Sequence, residues 1–151
     1  MPSQQRGKRP HLIRQVNAYS LFQAYEAETF ALANLGRYDE AQASLKAGRQ
    51  RLPIYFAALT EKLAVVLYSQ NRKPEALAEL ESVRGRARSE YLNESKSVFL
   101  RLGMLYAELG KKSEAKAALE EYLSATAAAQ DPTSIDARRS ASQLLRQLSS
   151  P

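Results

Sequence analysis

Gly110-Lys111-Lys112-Ser113 has the residue types of a phosphate-cradling loop, in which glycine backbone and a lysine meet an anion and a hydroxyl meets its metal ion. The spacing argues against that chemistry. The preceding glycine is Gly103, so six residues intervene instead of four, and no strand leads in. Ser113-Glu114-Ala115-Lys116 has the Ser-x-x-Lys spacing of a serine nucleophile, but the other elements of that catalytic set are missing. His11 is the single histidine and there is no cysteine, so a zinc site would need mostly carboxylates and a disulfide is impossible. Glu75 with Glu79, and the Glu120-Glu121 pair, read as solvated helix charges. The inventory therefore points to no enzyme, no metal and no cofactor.

What does recur is a pattern that builds helices. Leu35-Gly36-Arg37-Tyr38-Asp39-Glu40-Ala41, Gln70-Asn71-Arg72-Lys73-Pro74-Glu75-Ala76 and Leu109-Gly110-Lys111-Lys112-Ser113-Glu114-Ala115 each sit between two apolar helical runs. Leu45, Leu80 and Leu119 each lie four residues past the alanine. The alanines are 35 and then 39 residues apart, a period that predicts a stacked solenoid of helix pairs. Seven helices and no strands are expected. The first runs from about His11 to Leu35, with Gly36 at its C-terminal turn, and the second spans Tyr38 to Arg51 with Ala41, Leu45 and Gly48 buried. Pro53 opens the third, which carries Leu59, Leu63, Ala64 and Leu67, and Pro74 opens the fourth. The fifth, from Ser89 or Tyr91 to Leu109, absorbs the four extra residues of the longer period as added helix around Arg84–Ser95. Ser113 or a neighbour caps the sixth. Asp131-Pro132 starts a last helix with Ile135, Ala141, Leu144, Leu145 and Leu148 on one face, which reads as the cap of the array.

At 151 residues, with 44% hydrophobic and 25% charged residues, the chain suits one globular domain. Apolar runs such as Leu63 to Tyr68 are far short of the roughly 20 residues a membrane helix needs, so no membrane insertion is expected. The net charge is +6, of which Arg6, Lys8, Arg9 and Arg14 supply +4 within residues 1–14. Residues 1–10 read as a basic flexible tail and 11–151 as a single helical domain. The opening residues do not read as a signal peptide, and the expected location is cytoplasmic. The tail, helped by Arg84, Arg86 and Arg88, supports a secondary reading as a binder of nucleic acid or an anionic surface, although no aromatic residue in it could stack on bases. Leu12, Ile13, Val16 and Tyr19 precede the first good repeat without a second helix to pair against, which predicts a weak homodimer or a partner at that end.

Phe99, Leu102-Gly103, Tyr106, Gly110, Ala115, Leu119 and Tyr122 follow an order of large, small and aromatic residues that resembles the tetratricopeptide repeat. Leu63-Ala64, Leu67, Asn71, Ala76, Leu80 and Val83 match it in the second unit, and Gly36, Tyr38, Ala41, Leu45, Gly48 and Pro53 in the first. In the first unit Glu28-Thr29 stands where the family prefers a large apolar residue followed by a small one. The resemblance implies an all-α, right-handed solenoid of three helix pairs, over about 22–55, 57–90 and 96–129, with a capping helix over about 133–149. It also implies a protein-protein interaction scaffold or adaptor, with a concave groove lined by the first helix of each pair. By phase the groove residues are Gln23, Glu26, Phe30 and Asn34, then Glu61, Lys62, Val65, Tyr68 and Ser69, then Ser97, Leu100, Arg101, Met104 and Glu108. The expected ligand is a peptide or helix of another protein. Family members that grip the acidic tail of heat-shock chaperones carry lysines, asparagines and an arginine at places held here by Glu26, Phe30, Lys62, Ser97 and Arg101. Only Arg101 agrees, so that clamp is not expected, although Lys62 and Arg101 could meet a single acidic group.

Overall fold

The computed structural model describes residues 10–151, with side chains from Asn17 onward. Among these residues the chain forms α1 (Pro10–Asn34), α2 (Tyr38–Arg51), a 3-10 turn (Pro53–Tyr55), α3 (Phe56–Ser69), α4 (Lys73–Ser82), α5 (Arg84–Ser89), α6 (Asn93–Glu108), α7 (Lys112–Ala125) and α8 (Pro132–Ser149). Three pairs pack against each other, α1 with α2, α3 with α4 and α6 with α7. Their first helices lie side by side in the order α1, α3, α6, and α8 covers α7 at the end.

The three repeated turns share one backbone solution. Gly36, Asn71 and Gly110 have φ of 74°, 59° and 75°. Beyond each, an amide returns to a carbonyl in the last turn of the helix: Arg37 to Leu32 at 2.9 Å, Arg72 to Leu67 at 2.9 Å and Lys111 to Tyr106 at 2.8 Å. This is the paired closure of a helix C-terminus by a left-handed residue. It explains why two of the positions are glycine and the third asparagine, the other residue that tolerates positive φ. Ala41, Ala76 and Ala115, just inside each following helix, are fully buried, as are Leu45, Leu80 and Leu119 one turn later.

Gly103 shows how closely a pair approaches. A β-carbon there would lie 2.6 Å from two carbons of the Leu119 side chain. Any larger residue must push the Leu119 side chain out of its place, at about 1–3 kcal/mol. In α1, Thr29 is fully buried and Glu28 is exposed. The small half of the expected large-small pair thus packs inward, and the large half faces solvent.

Several sequence expectations need correction. Among the described residues there are eight α-helices rather than seven, because the extra residues of the long period form the separate helix α5 and an extended link, not longer neighbours. Glu90 in that link explains the break. Its carboxylate accepts from the Ala57 amide (2.7 Å), the Ala58 amide (3.4 Å) and the Ser95 hydroxyl (2.7 Å), closing the open N-terminus of α3. Lys96 then donates to the carbonyls of Ala87, Arg88 and Glu90 at 2.7, 3.0 and 2.8 Å, satisfying the C-terminal end of α5. Pro53 opens a 3-10 turn, and α3 itself begins at Phe56. Ser113 makes no capping hydrogen bond; Lys111 holds the cap position of α7. Ile135 is 42% exposed, off the buried face of α8. Asp131 does cap α8, accepting from the Ser134 amide at 2.9 Å, and this bond holds its carboxyl below the usual range.

Candidate functional site

The face formed by α1, α3 and α6 carries the residues that phase assigned to a groove. Its centre is a string of charges. Lys62 lies 3.1 Å from Glu26 of α1 and 3.2 Å from Glu61, and Arg101 of α6 donates through Nε to Glu61 at 2.8 Å. Glu61 is 1% exposed, and two cations, Lys62 of its own helix and Arg101 of α6, offset the cost of burying its charge. The single acidic group that Lys62 and Arg101 share is therefore the chain's own. Burial opposes the Lys62 ammonium, but Glu61 and Glu26 outweigh it and hold its pKa above the ordinary lysine value. With both cations matched internally, the face has little to offer an acidic tail.

Beside the string lies a small apolar cleft of about 100 Å³ between α3 and α6. Ala64, Leu80 and Leu105 form its floor, and Val65, Tyr68, Met104, Arg101 and Glu108 its walls. Tyr68 is 42% exposed and Met104 39%, while Val65 and Leu100 are half-buried. The Tyr68 hydroxyl donates to Glu108 at 2.7 Å, which spans the cleft from α3 to α6. Lys73 reaches the same carboxylate at 3.2 Å and lies 5.6 Å above the Tyr68 ring. The ring therefore has a fixed orientation.

Phase thus brings Val65, Tyr68, Arg101, Met104 and Glu108 together. Glu26 and Lys62 join the central string, with Phe30 exposed under the Lys62 ammonium at 5.8 Å. Ser97 and Leu100 stand on α6 toward its N-terminal half, both half-buried. Gln23 and Asn34 are exposed on α1, and Ser69 is exposed with its hydroxyl bonded back to the Val65 carbonyl at 3.0 Å. These three do not line the cleft.

A second pocket, about 400 Å³, opens where α1, α6 and α8 come together; phase did not find it, because Asp131 and the first turns of α8, outside the three repeats, supply much of its lining. Tyr19, Asn93, Glu94, Ser97, Tyr122, Asp131, Thr133, Ser134 and Ala137 line it. The Tyr19 hydroxyl reaches Glu94 at 3.4 Å, and the Glu94 charge beside it raises the phenol's pKa.

Arg84 and Arg88 both bond Glu121, at 3.2 Å and 2.9 Å, and the Arg86 guanidinium lies 4.1 Å from the centre of the Phe56 ring, which Arg49 also approaches at 4.7 Å. The arginine trio thus has partners within the fold, while Arg86 and Arg88 stay exposed. The tail itself, and the side chains of Leu12, Ile13 and Val16, lie outside the described residues. Tyr19, from the same segment, stacks on Phe22 and reaches across to Glu94. Among the described residues, no group of three or more His, Cys, Asp or Glu could hold a metal ion, and no single helix is long and apolar enough to cross a membrane.

The family profile described as "Tetratricopeptide repeat" matches residues 97–128. No curated protein matches the sequence significantly. Among solved structures, PcrH from Pseudomonas aeruginosa is similar, with a TM-score of 0.66 and 18% identity over 87% of this chain and 93% of that one. PcrH in complex with the chaperone binding region of PopD gives 0.64 and 18%, over 86% and 92%. The Yersinia enterocolitica type III secretion chaperone SycD, in complex with a peptide of the translocator YopD, gives 0.64 and 14%, over 85% and 92%. At these identities the likeness is one of fold.

Proposed function

We propose a non-catalytic role for a chain with a tetratricopeptide match over residues 97–128 and the corresponding fold over 87% of its length: binding a segment of a partner protein in its concave face, as a scaffold or chaperone-like adaptor. The observation that carries this reading is the cleft between α3 and α6. Tyr68 and Met104 stay exposed there although neither is needed to close the repeat, and an aromatic ring beside a flexible thioether suits an inserted apolar side chain. Two similar folds, PcrH and SycD, have been solved with a segment of another protein bound, which supports a role in binding such a segment. A cytoplasmic location goes with this proposal, in keeping with a cysteine-free chain suited to a reducing compartment.

The test begins with a partner captured by the full chain, identified by mass spectrometry and then titrated as a purified protein. Tyr68→Ala combined with Met104→Glu is expected to weaken that complex at least tenfold, because it removes one wall of the cleft and places a charge in another. Circular dichroism and thermal unfolding must show the variant folded. Unchanged affinity in a folded variant would sink the groove reading.

A further inference from the structure

We propose that the segment taken by the concave face is basic as well as apolar: an extended stretch with one apolar residue in the Tyr68–Met104 cleft and a lysine or arginine, four or five residues away, at the Glu94–Asp131 pocket. This rests on the groove reading and adds a chemistry to it.

Glu94, Ser97, Arg101, Met104 and Glu108 recur at steps of three, four, three and four residues, so they form one stripe along α6. The apolar cleft lies at one end of that stripe and the pocket with Glu94 and Asp131 at the other. At a rise of about 1.5 Å per residue, Glu94 and Met104 are roughly 15 Å apart along the helix. An extended chain advances about 3.3 Å per residue, so four or five residues connect the two places.

Charge decides what stands at the far end. Among the described residues no lysine or arginine lines the pocket between α1, α6 and α8, which presents two carboxylates among hydroxyl groups. Between the two ends, Lys62 and Arg101 are already matched by Glu26 and Glu61, and Lys73 by Glu108. With those cations matched, the carboxylates of Glu94 and Asp131 have no cationic partner among the described residues, on a chain whose net charge is +6. Two such carboxylates at one end of the face attract a basic residue and repel an acidic one. The apolar anchor supplies burial, and the basic residue sets direction and register along α6.

Random dodecapeptides displayed on phage and selected on the full chain test this. The expected result is enrichment of a leucine, methionine or aromatic residue with a lysine or arginine four or five positions away. A synthetic, fluorescently labelled peptide from that pool is then titrated by anisotropy alongside its Lys→Gln version. The wild-type protein should favour the basic peptide on the order of tenfold, as charge-assisted bonds do. The preference should vanish in Glu94→Gln/Asp131→Asn, which keeps an amide at the α8 cap, while the apolar anchor still binds. Enriched peptides that lack a basic residue, or a Lys→Gln change without effect, overturn the proposal. Met104→Glu separates the two readings: peptides lost on that change but indifferent to lysine overturn only the basic register. Peptides unaffected by Met104→Glu, or no enrichment at all, overturn both.

Discussion

Glu108 accepts the Tyr68 hydroxyl and the Lys73 ammonium together, and its carboxyl lies below the ordinary range. The Tyr68 bond is the main cause; burial opposes it, and Lys73 adds to the lowering. A carboxyl whose pKa is lower folded than unfolded contributes stability above its unfolded value and loses it as pH falls through the folded one. Glu108→Gln is therefore expected to destabilise the protein near neutral pH by about 0.2–1 kcal/mol, since the group is largely exposed. That difference should shrink toward zero as pH falls through the folded-state pKa and the wild-type carboxylate is also protonated. Urea unfolding of both proteins across that range measures it; a gap independent of pH would show that the Tyr68 bond does not depend on the charge.

Of the elements, the turns test the repeat most directly. Asn71 holds at φ 59° the position that glycine holds at residues 36 and 110. Asn71→Ala should cost about 1–2 kcal/mol, because a β-carbon without asparagine's local hydrogen bonding is strained in the left-handed region. Asn71→Gly should stay within about 0.5 kcal/mol of wild type, as relief of strain offsets the freer unfolded chain. Equal costs for the two variants in chemical denaturation would contradict this.

The same elements show what the sequence could and could not reveal. The limits of α2 and the burial of Ala41, Leu45 and Gly48 follow from local spacing and were legible. Helix α5 was not, since Gly85 among arginines reads as a break, and the bonds that stabilise it come from Glu90 and Lys96 beyond its end. Phase put Val65, Tyr68, Met104 and Glu108 on one face because that needs only helical periodicity and parallel stacking. The burial of Glu61 depends on Lys62 and on Arg101, forty residues on, so no local pattern announces it. Ser113 misled because a serine near a helix start caps only from the residue before the first turn, and here Lys111 occupies that place.

As a whole, the molecule is a row of units in which each helix pair leans chiefly on its neighbours, so damage should stay local. Ala141 is fully buried where α8 joins the core. Ala141→Asp would bury a carboxylate and undock the final helix. Arg138 would then lose its bonds to the Leu123 carbonyl and the Thr126 hydroxyl, at 2.6 and 2.8 Å. Hydrogen exchange should speed up across α7 and α8, while amides of α2 and α3 keep their protection. Uniform loss of protection would mean that the array unfolds as one unit.

The link at Glu90 has a mechanical consequence. An array of helix pairs behaves as a spring whose curvature can flex at every joint, but here the joint between the second and third units is riveted. One carboxylate grips the start of α3 and the Ser95 hydroxyl of α6, and one ammonium holds the end of α5. The width of the concave face between α3 and α6 is thereby set before any partner arrives. A segment entering it meets a stiff mould rather than a flexing one. Little ordering of the protein then opposes association, and a segment of the wrong dimensions is turned away rather than accommodated.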